Sequence, residues 1–307
     1  MTTLGPHASI TGVFTSKHEF ALDRQVFTSK HDMAEIIAIA NQKGGVGKTT
    51  TAVNLASALA VLGHETLMID MDPQGNATSG VGFNKHEFDP NMYDVLVDLH
   101  PLEKTIKQSP LPKLSAAGAN NDLAGAEIEL VSALARESRL KGALSAVKNR
   151  FSFVIIDCPP SLGLLTINAL NAADKIIIPI QGEYYSMEGL AQFTGAVDRV
   201  KDSLNQKLET EGGVLTMFDS RMTLSNQVKE EVNKFFGPKM FQSIIPRNIR
   251  LAEAPGFGQS IFQYDAKSKG AEAYMAFARE FLSRRGLSTP PSVPAAPTTS
   301  ETTENPA

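Results

Sequence analysis

The segment that most limits what this chain can become is "EIIAIANQKGGVGKTTTAVNLASAL", Glu35 to Leu59. An apolar run, a glycine-rich turn and a helical stretch follow one another without a break. That order makes a strand feeding a tight loop that opens a helix, and successive backbone N–H groups at such a helix start cradle an anion. Gly44, Gly45 and Gly47, with Val46 between them, let a phosphate approach the backbone closely. Lys48 is placed to reach the β- and γ-phosphates of a nucleotide, the Thr49 hydroxyl to ligate Mg²⁺, and Thr50 to add a phosphate contact. The loop nevertheless departs from the strict pattern G-x-x-x-x-G-K-[ST]. Gln42 stands where the first glycine belongs, and Lys43 adds a second basic residue five positions before Lys48.

Around this unit, short β-type runs alternate with helical patterns. The runs are Glu35–Ala40, Thr66–Asp72, Phe151–Cys158, Lys175–Ile180, Gly213–Asp219 and Phe241–Pro246. Several are apolar almost throughout, as parallel strands covered on both faces require. Thr49–Leu62, Ser186–Leu204, Ser225–Phe236 and a closing segment, Gly270–Gly286, read as helices. The alternation predicts an α/β fold with a doubly wound, mostly parallel sheet, carried by one domain over residues 34–286. Residues 1–33 hold a near repeat, "VFTSKHEF" and "VFTSKHDM", with copies 13 residues apart. That is too short and too few for a solenoid, and a poorly ordered leader is expected. Residues 287–307 are rich in Pro, Thr and Ser with almost no large apolar residues, and are expected to be a disordered tail.

Two further strands end in acid. "FVIIDCPP" closes on Asp157, a second candidate for the Mg²⁺ shell, with a helix-capping aspartate as the alternative. "LMIDMDPQGN" closes on Asp70 and Asp72. Ligands of doubly wound sheets bind at the carboxyl ends of strands, so Asp72 is a candidate to orient or activate an attacking water, while Asp70 reads as structural. Gln74 and Asn76 either sense a γ-phosphate or serve the turn. Cys158, the single cysteine, excludes a disulfide framework and any metal site built on several cysteines. It reads as a small buried residue and fits a reducing cytoplasm. No apolar run approaches the roughly 20 residues needed to span a bilayer, and no signal peptide is legible at the start.

The loop "KGGVGKTT" resembles the deviant Walker A loop of the ParA/MinD group of P-loop ATPases. The resemblance continues through "DMDPQGNATSGVG", "VIIDCPPSLGLLTINAL", "IPIQGEYYSMEGLAQF", "TMFDSR", "IPRNIRLAEAPGFGQSI" and "SKGAEAYMAFARE", from about Ile36 to Leu282. These segments are similar to the chromosomal ParA proteins, also called Soj. The resemblance implies ATP and Mg²⁺ as ligands, with slow, partner-stimulated hydrolysis. It also implies a homodimer closed by ATP, in which Lys43 reaches the nucleotide held by the other subunit. A cation supplied in trans meets the γ-phosphate's developing charge only when two subunits come together. By the same resemblance Pro246, Arg247 and Asn248 lie beside the adenine.

Relatives with these motifs divide by partner. Iron–sulfur members need at least two cysteines per subunit, and this chain has one. A MinD-type membrane contact needs an amphipathic C-terminal helix, which the proline-rich tail cannot make. DNA partition remains, and for it the resemblance implies non-specific double-stranded DNA and a ParB-like protein as partners, with no membrane, in a cytoplasmic, nucleoid-associated setting. A MinD-like positioning ATPase, or a ParA-like ATPase moving another cargo, is the alternative. From Arg221 to Gly270 there are eight Lys/Arg against four Asp/Glu, a local excess of +4 in a chain of net charge −4, leaving −8 elsewhere. That asymmetry is the footprint of one basic face on an acidic protein. Lys229 and Lys234 read as ordinary solvated lysines. Arg221 and Arg250 match positions that contact DNA in ParA proteins.

Overall fold

The fold, taken from a computed structural model, is described for residues 33–182 and 186–287. The expected leader before Met33, the tail from residue 288 and the pair Tyr184 and Tyr185 lie outside the described residues.

One eight-stranded sheet organises the domain. Its strands are β1 (Glu35–Ile39), β2 (Thr66–Asp70), β3 (Lys107–Gln108), β4 (Leu114–Ala117), β5 (Phe153–Asp157), β6 (Lys175–Gln181), β7 (Glu209–Phe218) and β8 (Ile244–Pro246). Their spatial order is β3-β4-β2-β5-β1-β6-β7-β8. Every described pairing is parallel except β3 with β4, so the doubly wound, mostly parallel expectation describes the sheet. All six expected strands are present. β7 begins four residues before its predicted start, and β3 and β4 were not anticipated.

Period-2 alternation sorts side chains to two cores. In β1, Ile36 and Ala38 join one core with Leu165, Leu170, Phe193 and Val232. Ile37 and Ile39 face the other with Leu55, Leu59, Phe277 and Phe281. Both faces are thus covered by helices, which is why the central strands are buried throughout. The helix Lys48–Val61 is buried almost all round, so its sequence shows little amphipathic periodicity. By contrast Thr223–Phe236 buries Val228, Val232 and Phe236, a stripe spaced four residues apart, and leaves its charged face in water. The closing helix is Lys269–Ser283, capped by the Ser268 side chain, which accepts from the Ala271 N–H. Leu287, expected as the first tail residue, packs against the second core. Among the described residues no helix is long and apolar enough to cross a membrane.

The connections fix where a ligand can sit. From β1 the chain crosses to β2 on one side, while β5 leads across β1 to β6 on the other. Loops leaving the adjacent carboxyl ends of β1 and β5 therefore diverge and open a crevice between them.

Candidate nucleotide site and flanking surfaces

The glycine loop fills that crevice. Gly45 and Gly47 take φ of 73° and 82°, the left-handed region that glycine enters without steric cost. Gly47 is the N-cap residue of Lys48–Val61, so the loop's N–H groups run directly into a helix start. The loop is pinned at both ends. The Asn41 side chain donates to the Pro179 carbonyl at 2.8 Å and accepts from the Lys43 N–H at 3.0 Å. The Thr216 hydroxyl, at the end of β7, donates to the Val46 carbonyl at 2.8 Å.

The two lysines share this turn. Lys48 is buried, and its ammonium donates to the Lys43 carbonyl at 3.1 Å. Burial pushes the Lys48 ammonium below the usual lysine range, while Asp157, Cys158 and Asp72 pull it back. Lys43 itself is half-buried.

Beneath the loop lie three carboxylates. Asp70 on β2 and Asp157 on β5 are partners in register on adjacent strands, and both are fully buried. Burial raises the Asp70 carboxyl to about 6 despite three hydrogen bonds. Those bonds come from the Asp72 N–H at 3.1 Å, the Thr78 N–H at 2.8 Å and the Thr78 hydroxyl at 2.7 Å. Asp70 is thus a scaffold that fixes Asp72 and the short helix Asn76–Gly80. Asp72 in turn accepts from the Gln74 N–H at 2.9 Å, so the Gln74 backbone performs turn chemistry. Asp70→Ala orphans the buried Asp72 N–H and is expected to destabilise the fold by about 2–4 kcal/mol in urea unfolding at pH 7.

Asp157 differs. Both of its carboxylate oxygens are buried without a hydrogen-bond partner. Burial raises its pKa well above the ordinary range and Asp70 raises it further, with the neighbouring Thr49 hydroxyl and the Lys48 ammonium pulling the other way. An orphaned pair of carboxylate oxygens beside a hydroxyl, where the phosphate loop enters its helix, fits a hard divalent cation that keeps water and phosphate in the rest of its shell. Cys158 is fully buried and its thiol is pushed well up by burial, which makes it a poor nucleophile.

Two cavities flank Thr50. One, of about 200 Å³, brings Gly47 and Thr50 together with Pro246, Arg247 and Asn248. The Asn248 side chain also accepts from the Leu251 N–H at 3.3 Å, capping the turn Ile249–Glu253. The other, of about 460 Å³, lies between Thr49, Thr50 and Asn54 on one side and Asn76, Ser79 and Gln259 on the other. Arg221 and Arg250 line neither cavity. They follow β7 and β8 at the same end of the sheet, with side chains 87% and 54% exposed.

Three contributors were not legible in the sequence. Thr216 holds the loop from a strand far along the chain. Met217 beside it takes φ of 49° and lines the smaller cavity; a non-glycine residue held there stores strain, as walls of binding sites often do. Glu127 accepts from the Leu164 N–H at 2.9 Å, clamping the start of the helix Leu164–Ala172 and with it the loop that follows Asp157.

A family model described as an AAA domain matches residues 34–210. Over 248 residues the chain is 53% identical to the sporulation initiation inhibitor protein Soj of Bacillus subtilis, covering 81% of this chain and 98% of that protein. Identity to the chromosome partitioning protein ParA of Myxococcus xanthus is 50% over 252 residues, 82% of this chain and 89% of that one. Among solved structures, the cobyrinic acid a,c-diamide synthase of Mycobacterium smegmatis with bound ADP and magnesium has the same fold. Its TM-score is 0.72 at 35% identity, covering 85% of this chain and 100% of that chain.

Proposed function

Because the chain belongs to the ParA/Soj family of chromosome-partitioning ATPases, we propose that it is an ATP-dependent dimerising switch. In this reading it holds double-stranded DNA without sequence preference while the nucleotide is intact. Hydrolysis, stimulated by a ParB-like partner, releases it and drives partitioning. The observation that carries the reading is the pair of lysines in one glycine turn, with Lys48 buried toward the orphaned Asp157 carboxylate.

The N–H groups of Gly44, Gly45, Val46 and Gly47 would receive the phosphates, and Lys48 would leave the Lys43 carbonyl for the β- and γ-oxygens. Thr49 and Asp157 are the residues that would hold Mg²⁺, which when bound supplies positive charge to the γ-phosphate oxygens. Thr50 closes the phosphate end. Pro246, Arg247 and Asn248 make the base wall of the smaller cavity. Asp72, fixed through Asp70, would orient the attacking water. Lys43 would act on the nucleotide of the partner subunit, so that turnover requires two copies. Arg221 and Arg250 would meet DNA phosphates, which predicts weak, steeply salt-dependent, non-specific binding.

The direct test is co-sedimentation with nonspecific DNA under ATP, ADP and no nucleotide, with a parallel arm of anionic lipid vesicles. DNA pelleting only with ATP is the expected result. Equal pelleting with DNA in all three conditions would overturn the ATP switch, and ATP-dependent pelleting with vesicles alone would replace this reading with the membrane-cycling one.

A further inference from the structure

The surface arginine Arg221 does not stand open to a phosphate. Its Nε and Nη2 donate to the two carboxylate oxygens of Asp219 at 2.9 and 2.6 Å, a bidentate pair of the kind a DNA phosphate would make. Asp219 also accepts from the Arg221 N–H at 3.1 Å through the same Oδ1 that takes Nε, so a local turn builds the clamp. The two side chains are unlike in freedom: Arg221 is 87% exposed and Asp219 21% exposed. Asp219 is the fixed half because it directly follows the last residue of β7, Phe218. The Phe218 carbonyl accepts from the Arg247 N–H at 3.2 Å, and Arg247 lines the smaller cavity. Arg221 holds the Asp219 carboxyl down to about 2, with Arg247 adding to the depression.

Arg250 offers a contrast. It pairs with Glu253 at 2.9 Å and stands 3.6 Å from Asp265, while Glu253 also accepts from the Tyr264 hydroxyl. Removing one acid there leaves a second in place. At Arg221 the described counter-ion is Asp219.

We propose that Asp219 is the built-in competitor that sets how tightly Arg221 holds a DNA phosphate. A phosphate must displace Asp219 from Arg221, and the carboxylate so released stays next in sequence to Phe218, whose carbonyl holds the Arg247 N–H. The inference rests on the DNA-binding reading above. It assigns Asp219 an affinity-limiting role at that surface: the carboxylate occupies the guanidinium that would bind the polyanion. Exposed ion pairs are weak, so the competitor tunes binding and does not block it.

Asp219→Asn tests this cleanly, because the amide oxygen still accepts the Arg221 N–H while the charge is gone. Binding of the full chain with ATP to a nonspecific duplex, followed by fluorescence anisotropy across a salt series, should show Asp219→Asn about three- to tenfold tighter than wild type. Asp219→Ser, which keeps a turn acceptor, should move the same way. The double variant Asp219→Asn/Arg221→Ala should bind no more tightly than Arg221→Ala alone. Equal affinity of wild type, Asp219→Asn and Asp219→Ser would overturn the inference. So would a gain that persists in the Arg221→Ala background, since the charge would then act without Arg221. A wild type that fails to bind DNA with ATP would sink the DNA reading itself, whereas a binding wild type with unresponsive Asp219 variants sinks only this inference.

Discussion

Lys43→Ala is expected to leave ATP binding to the single subunit within a few-fold of wild type while lowering turnover by about a thousandfold or more. A cation supplied to a transferring phosphoryl group from a second molecule is worth on the order of 10³–10⁵ in rate. Within the turn the Lys43 carbonyl accepts from the Lys48 ammonium and the Lys43 N–H donates to the Asn41 side chain. Both are backbone contacts that an alanine at this position can still make. The measurements are nucleotide affinity by calorimetry, phosphate release, and mass in solution by light scattering with a non-hydrolysable triphosphate. Wild type should double in mass and the variant should not. Undiminished phosphate release from the variant would remove the trans-lysine step from the scheme.

Asp157→Asn should sharply lower Mg²⁺-dependent turnover and, unusually for a buried substitution, stabilise the protein without nucleotide. The loss of rate is put at about 10²–10³, since the amide cannot offer the cation a charged oxygen. The gain in stability follows from the orphaned oxygens: ionised Asp157 is buried, unbonded and next to Asp70 in register. Neutralising it should contribute about 1–2 kcal/mol, roughly 2–8 °C in midpoint for a chain of this size.

The sign with pH follows from the same shifts. Asp157 and Asp70 have folded pKa values above their unfolded ones, to about 6 for Asp70. Each therefore favours the fold fully below the ordinary aspartate pKa, and that contribution is lost as pH rises through the folded value. His64, lowered by burial, acts in the opposite sense over part of this range. The informative quantity is thus the difference between wild type and Asp157→Asn, which cancels His64. That difference should widen from pH 5 upward. A gap that stays constant, or a variant less stable at pH 7.5, would contradict the buried-charge account.

Much of this was legible in the chain before its fold, for physical reasons that differ by element. Apolar runs such as "FVIID" announce a strand covered on both faces, because nothing else tolerates such burial over so few residues. Gly45 and Gly47 mark positive φ, which glycine alone adopts freely. β4, "LSAA", is four residues with one polar and two alanines, and β3 is two residues long; neither carries a signal above loop. The short helices between Asn76 and Leu144 run four to seven residues, below the length at which a 3.6-residue period can show. Pro246, Arg247 and Asn248 could be placed only by resemblance, since a tripeptide after a strand has no periodicity to read. Glu127 and Thr216 were invisible because each acts across a long stretch of chain on a backbone group, and no residue pattern encodes such a contact.

The strand that carries the glycine turn lies deep inside the sheet, bonded on one edge to β5 and on the other to β6. Its amides should be among the last to exchange with solvent, opening only when the whole domain opens. The anion cradle is in that sense an anvil. Any movement during a working cycle would fall to the pieces around it, such as the Ile249–Tyr264 stretch across the larger cavity.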